Sequence, residues 1–501
     1  MAHSDVGGVT FPLVDGRRST SAIGRAVVAD ALRAVDPVGS AAAARETNWR
    51  HGYLTHFRRL VEAGLPSAHS AVQIARDGLG AVHDRLCWES PDGVSSPLRE
   101  AAYEAAYEAQ TGPPLLTEEL VGGGRPDRVL AVPLRGRHLV GDDLRCQLDT
   151  WVDAGAVEPT VREAIDELMD TPDGLDLSGW TVVALGAAAE MGPVRSLLRW
   201  GATVAAVDLP RPDLWDTLIA DTRGLAGRLL LPVKPGDGPV SSRAGIDLVH
   251  DLGAAVEWVS SLPGRLVIGN YVYADAALGV RVSAAVDALG EAVRARRARR
   301  PGEVAGSEGE VALAFLATPT DIFAVPGDAV AASVDSYARR RTSKLLRVPL
   351  RTLSGGRLLR RNYLPGEDPG INDSVVLQQG PNYLLAKRIQ RWRATVARDQ
   401  GAVVSLRVAP PTRTYSVVKN RALAAAYAGA HRFGMEVFEP GTSNTLMAAL
   451  LAHDLRTGAP SRGHPWKDEA YAAVHGGLWR AAYDPRSALG LAALLGMATN
   501  R

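Results

Sequence analysis

The chain has 501 residues, of which 46% are hydrophobic and 22% charged, with 56 basic against 55 acidic side chains. That describes a folded, near-neutral protein of two or three domain-sized units, and the even charge balance argues against a nucleic-acid or membrane-surface protein. Cys87 and Cys146 lie outside any metal or redox spacing and read as free thiols in a reducing compartment. With no signal-peptide order at the N-terminus and no apolar run near the roughly 18 residues of a membrane span, the expectation is a cytoplasmic protein without membrane insertion.

From about Ser40 to Cys87 and from Pro97 to Gln110, alanine-rich segments with apolar residues three and four apart predict amphipathic helices. A short strand-like run, RVLAVPL (Arg128 to Leu134), follows. GDDLRCQLDTWVDAGAVEPTVREAIDELMDT then predicts two helices around a glycine break, with Pro159 near the start of the second. Residues 1–175 are thus expected to be a mainly helical domain that dimerises the protein or covers its substrate, so a homo-oligomer is an expected state. His51 and His56 miss the i, i+4 spacing of a shared helical metal site, and no metal is expected.

At Trp180 the pattern changes. WTVVALGAAAEMGPVRSLLRWGATVAAVDLPRP reads as an apolar strand, a glycine-containing turn, a helix and a second apolar strand ending in Asp208. Apolar runs recur at Arg228 to Val233, Arg265 to Tyr271, Val311 to Asp321 and Ala402 to Thr414, most of them separated by helical segments. Apolar strands without polar alternation predict an α/β fold, a doubly wound, Rossmann-like parallel sheet covered on both faces. The sheet domain is expected over 176–455, with an insertion at about 322–380 and a short helical C-terminal extension over 456–501. The insertion carries a basic run from Arg339 to Arg361, which either steers an anionic small-molecule substrate or forms a solvated face or an oligomer contact.

The turn after the first apolar strand is LGAAAEMG, with Gly186 and Gly192 at its ends and Glu190 and Met191 between them. A strand, turn and helix in this order offer backbone N–H groups and a favourable dipole to a phosphate. Asp208 ends the next strand 22 residues beyond Gly186. A carboxylate there accepts hydrogen bonds from ribose hydroxyls and repels a 2'-phosphate, which favours NAD over NADP. Glu190 stands where a pyrophosphate would approach, so either its side chain turns outward or phosphate binding is weak here.

Further on, QQGPNYLLAKRIQRWR puts Tyr383 and Lys387 four apart, on one helix face, in a chain that has lysine at only five positions. An ammonium beside a phenol favours phenolate and lowers the tyrosine's pKa from about 10 towards working pH. The result is a general acid that protonates a carbonyl oxygen as hydride arrives, or a base for the reverse reaction.

From roughly Trp180 to Leu455 these motifs resemble the short-chain dehydrogenase/reductase superfamily. Its Thr-Gly-x-x-x-Gly-x-Gly motif falls on LGAAAEMG, with Glu190 in place of the middle glycine. Asp208 matches the acidic residue after the second strand, and Asn270 is the one match to the Asn-Asn-Ala-Gly segment. Tyr383 and Lys387 match the catalytic pair, and VAPPTRT looks like the Pro-Gly segment, with Pro410 followed by Pro411 in place of glycine. The resemblance implies an NAD(H)-dependent oxidoreductase acting on a carbonyl or alcohol. Tyr383 would be its acid/base, Lys387 would tune the tyrosine and hold the nicotinamide ribose, and Gly186, Glu190, Met191, Gly192, Asp208, Asn270 and Pro410 would lie along the cofactor. Gly370 occupies the place of the family's serine, so Thr318, Thr320 or Ser374 is expected to position the substrate oxygen. Two other readings stand beside this one. One is a non-redox or cofactor-sensing relative on the same fold; the other is a methyltransferase that binds S-adenosylmethionine at the glycine turn and Asp208, where the tyrosine and lysine would have no role.

Overall fold

The computed structural model describes residues 7–107, 113–299, 311–339 and 348–499. Seven segments form one sheet: β1 (Leu116–Val121), β2 (Trp180–Leu185), β3 (Thr203–Val207), β4 (Arg228–Val233), β5 (Arg265–Asn270), β6 (Val311–Ala317) and β7 (Val404–Val408). Their order across the sheet is β7-β6-β5-β2-β3-β4-β1. Strands β2 to β7 are mutually parallel, and β1 alone runs antiparallel, beside β4. The chain is therefore a mixed α/β protein with a mostly parallel sheet.

Parallel neighbours need long crossovers, and these place helices over both faces, which is why the strands carry unbroken apolar runs. All six residues of β2 are buried. Alternate side chains point to opposite faces. Val183 and Leu185 pack with Ile268, Phe315 and Leu406 against the helices Ala276–Ala298 and Gly380–Asp399 and against Val28, Leu32, Trp49, Phe57 and Leu79 from the N-terminal helices. Val182 and Ala184 face the other way, against Leu144, Leu148 and Ile165 and against Leu446 and Leu450 of the helix Pro440–Thr457. Residues ahead of Ser178 thus cover both faces of the sheet, and β1 adds its edge.

The strand β1 has no counterpart in the sequence reading. LTEELV is half-buried at best, and its Glu118 and Glu119 give the sheet a charged edge that discourages pairing with another chain. The insertion is also structured: Ile322–Val325 pairs antiparallel with Gly370–Asp373, and the helix Gly327–Arg339 lies between them in sequence. Near the C-terminus the helices Arg421–Ala430 and Pro485–Thr499 cross with their backbones in contact. A Cβ on Gly429 would lie 2.0 Å from the Ala492 carbonyl oxygen, and one on Gly496 would lie 1.9 Å from that of Ala425, so only glycine fits.

The chain leaves β2 towards β3 on one side, and β5 returns on the other side of β2. Crossovers that diverge in this way leave a crevice at the C-terminal ends of β2 and β5. No helix among the described residues is long and apolar enough to cross a membrane. Both cysteines are free, Cys87 buried and Cys146 exposed.

Candidate functional site

Residues just beyond the C-terminal end of β6 bring a group of hydroxyls together. The hydroxyls of Thr318 and Thr320 are 2.9 Å apart, and Gln379 Nε2 donates to Thr320 Oγ1 at 3.0 Å. The helix Gly380–Asp399 starts here, opened by Pro381 in its first turn, where the lost N–H costs nothing. Its first turn brings Tyr383 to Thr318. Burial pushes the Tyr383 phenol well above its ordinary value, and a hydrogen bond with Thr318 opposes that rise. Tyr273, from the loop after β5, meets Tyr383 edge-on at 6.4 Å and donates to Asp275 Oδ1 at 2.7 Å. Tyr427, from the helix Arg421–Ala430, lies close enough to raise the Tyr383 phenol further, and burial pushes its own phenol up to about 12.

Lys387 follows one turn later, and its ammonium donates to Gln390 Oε1 at 3.2 Å rather than to Tyr383. Burial lowers its pKa from 10.5 to about 8, against the pull of the Asp321 carboxylate. Asp321 is wholly buried and also takes hydrogen bonds from Arg391 Nη1 at 2.9 Å and Arg388 Nη2 at 3.4 Å. Arg391 makes a two-pronged pair with Glu469, both bonds 2.6 Å, so the helix's buried guanidiniums are held by carboxylates, as charges removed from water must be. The structure brings Tyr383, Thr318 and Thr320 into one cluster. Lys387 lies beside that cluster, facing Asp321, and does not touch the phenol.

On the other side of the crevice, Gly186 has φ +80°, and a Cβ there would stand 3.0 Å from the backbone of Tyr271 and Val272. The glycine is required because the β2 turn rests directly on the loop after β5. Gly186 and Ala187 donate to the Val207 carbonyl, Ala189 to that of Gly186, and Gly192 to that of Ala189. Asp208 accepts from the Ala188 N–H at 2.9 Å and the Leu209 N–H at 2.8 Å, and burial raises its carboxyl against those bonds. The N–H groups of Glu190 and Met191 have no partner among the described hydrogen bonds. Glu190 is exposed, and its Oε2 accepts the N–H of Tyr415 at 2.8 Å, while Met191 is half-buried against the core. Asn270 is buried at the end of β5. Its Oδ1 has no partner among the described residues, and it borders a cavity of about 10 Å³ shared with Ser283, Gln390 and Arg393. Pro410, buried after β7, accepts from the Thr412 hydroxyl at 2.9 Å.

Other expected residues lie apart from this crevice. Ser374 is buried and its hydroxyl donates to Asn372 Oδ1, in a network that reaches the Leu478 carbonyl. Of the basic run, Arg340, Arg341, Lys344 and Arg347 lie outside the described residues. Arg360 pairs with Asp484 at 2.7 Å and ties the insertion to the C-terminal segment, whereas the Arg361 guanidinium stacks over Tyr337 at 4.6 Å, within the insertion. His56 stacks on Trp49. Among the described residues one cluster has metal-ligating geometry, His83, Asp287 and Glu291. Arg393 donates to both oxygens of Asp287, at 2.6 and 2.8 Å, and pairs with Glu291 at 2.8 Å, so a guanidinium stands where a cation would. A cavity of about 670 Å³ opens at the opposite, N-terminal edge of the sheet, beside Trp180 and Arg265, and holds none of these residues.

No spacing or motif in the sequence singles out Tyr273, Asp321, Gln379 or Tyr427. Asp321 still carries a usable signal, a charge closing the apolar run VALAFLATPTD, and Tyr273 stands just beyond another strand. Tyr427 has no local signal, because only the C-terminal helices bring it back to the crevice. Comparison with known protein families finds no family model that matches this chain, and none of the curated proteins matches it.

Proposed function

We propose that the protein is an NAD(H)-dependent oxidoreductase of short-chain dehydrogenase/reductase type, on a Rossmann-like fold, acting on the carbonyl or alcohol of a small molecule. The observation that carries this reading is the cluster at the end of β6, where the Thr318 and Thr320 hydroxyls are 2.9 Å apart, Gln379 holds Thr320 and Tyr273 meets Tyr383 edge-on, on the same C-terminal side of the sheet as Asp208 and the glycine turn. A phenol and a hydroxyl so placed can hold one substrate oxygen between them.

The donor chemistry fits a dinucleotide. Each Asp208 oxygen keeps a lone pair for a ribose hydroxyl, the N–H groups of Glu190 and Met191 suit a phosphate, and Lys387 has donors to spare for the second ribose. NAD, when bound, supplies or takes up the hydride. Tyr383, kept protonated by its buried setting, is then a proton donor to a carbonyl oxygen, which favours the reductive direction. Thr318 orients that oxygen. Thr320, tied to Gln379, fixes Thr318. Lys387, with a pKa of about 8, is mostly charged at pH 7.

Thermal-shift titration with NADH, NADPH and S-adenosylmethionine tests the reading. NADH at about 100 times its dissociation constant adds roughly 2.7 kcal/mol of stability. Tyr383→Phe should keep that shift and lose carbonyl reduction. A shift with S-adenosylmethionine alone would overturn the assignment. Silence with all three would favour the non-redox relative, the reading to which the Glu190 carboxylate beside the phosphate position lends support.

A further inference from the structure

Glu190 belongs to the turn after β2, yet its carboxylate holds the N–H of Tyr415, 225 residues away in sequence. Asn444 Nδ2 adds a longer bond, 3.5 Å, to the Glu190 carbonyl. Tyr415 opens the short helix Tyr415–Lys419, which follows β7. In the sheet β7 is three positions from β2, about 14 Å at the usual strand spacing. The chain between Val408 and Tyr415 can stretch to roughly 23 Å, so it reaches the β2 turn by passing the C-terminal ends of β6 and β5. That is where Thr318 and Tyr383 stand. The same segment runs on into the helix Arg421–Ala430, whose Tyr427 lies near Tyr383.

This strap is anchored at its start, where Pro410, Pro411 and Thr412 are buried, the Pro411 carbonyl accepts from the Phe438 N–H at 2.9 Å and the Thr412 and Ser443 hydroxyls are 2.7 Å apart; beyond Thr412 it is more open. Arg413, Tyr415 and residues 418–421 are exposed, and a helix of one turn is not stable by itself. Beyond Thr412 the Arg413 N–H donates to the Phe438 carbonyl at 2.9 Å, Val417 is buried, and the Glu190 carboxylate takes the N–H of Tyr415.

We propose that Glu190 is a latch: its carboxylate holds the 413–420 part of the strap shut over the crevice, and a ligand phosphate entering the β2 turn displaces it. The carboxylate and the phosphate carry like charge and compete for the same ground, next to the free N–H groups of Glu190 and Met191. Strap opening and phosphate entry are thereby coupled. Naming the entering group as a dinucleotide phosphate rests on the function proposed above, whereas the latch itself is a contact within the chain.

The test compares the wild-type protein with Glu190→Ala and Glu190→Gln by hydrogen exchange over residues 412–421, with NADH affinity measured on the same samples. Glu190 is exposed, so neither substitution disturbs the core. Loss of a charge-assisted bond predicts exchange roughly tenfold faster in Glu190→Ala, with Glu190→Gln between it and wild type, because an amide oxygen still accepts. NADH should bind both variants about tenfold more tightly, once the competing charge is gone. Equal exchange in all three proteins would overturn the latch, whatever NADH does. Faster exchange with equal NADH affinity would overturn its coupling to ligand entry. Faster exchange with no NADH binding in any variant would uphold the latch and remove the dinucleotide reading instead.

Discussion

Lys387→Met should make the protein more stable, and the size of the effect follows from the lysine's surroundings. Burial brings its pKa from 10.5 down to about 8. A gap of roughly 2.5 units, at about 1.4 kcal/mol each, sets the charge against folding by about 3 kcal/mol at pH 7, where lysine is protonated in both states. Since the folded pKa lies below the unfolded one, the unfolded chain holds more protons between about pH 8 and 10.5, and stability rises with pH across that window. Methionine keeps the volume and removes the charge. It also loses the bond to Gln390, at about 1 kcal/mol, so the expected net gain at pH 7 is about 2 kcal/mol. Denaturant unfolding of both proteins at several pH values from 6 to 10.5 measures the difference, in which the other titrating groups cancel. That difference should fall by about 3 kcal/mol between pH 7 and 10.5. A difference that does not change with pH, or a methionine variant less stable at pH 7, would refute the account. A lysine kept against folding free energy is what a working site would show, because selection for activity tolerates such a cost.

Two further outcomes follow from the same contacts. Gly186→Ala puts a side chain at φ +80° and a Cβ 3.0 Å from the Tyr271 and Val272 backbone, so a loss of about 2 kcal/mol in unfolding free energy is expected, together with a weaker NADH-induced shift; an unchanged Tm would contradict it. Burial raises the Glu158 carboxyl, but hydrogen bonds from His475 and Arg480 outweigh it and hold the pKa at about 2. Stability from this group is complete above about pH 4.5 and is lost as pH falls through 2, about 3 kcal/mol in all. Glu158→Gln should therefore be less stable than wild type at pH 7, and the two unfolding curves should converge on acidification.

Tyr383 and Lys387 could be located from their spacing, and Thr318 and Thr320 from the end of an apolar run, because helix and strand periodicity are local properties. What the two ends of the crevice do with those residues was not local. The spacing set Tyr383 beside Lys387, but burial placed the tyrosine against Thr318 and turned the lysine to Gln390. The turn sequence alone does not choose between two orientations of Glu190, since the N–H it binds belongs to Tyr415. Ser374 showed no sign that its hydroxyl would join Asn372 instead of the crevice, because that network is closed by residues near the C-terminus.

By itself the sequence determined the apolar strands, the helices between them and the glycine turn, since each depends on side chains within a few residues of one another. The strand order, the recruitment of LTEELV to the sheet edge and the arginines buried in the central helix were decided only in three dimensions. Those features depend on distant partners, Leu229 for Leu120 at that edge and Asp321 and Glu469 for Arg391 within the core. A strand without an apolar run or a charge without water is stable only where such a partner meets it.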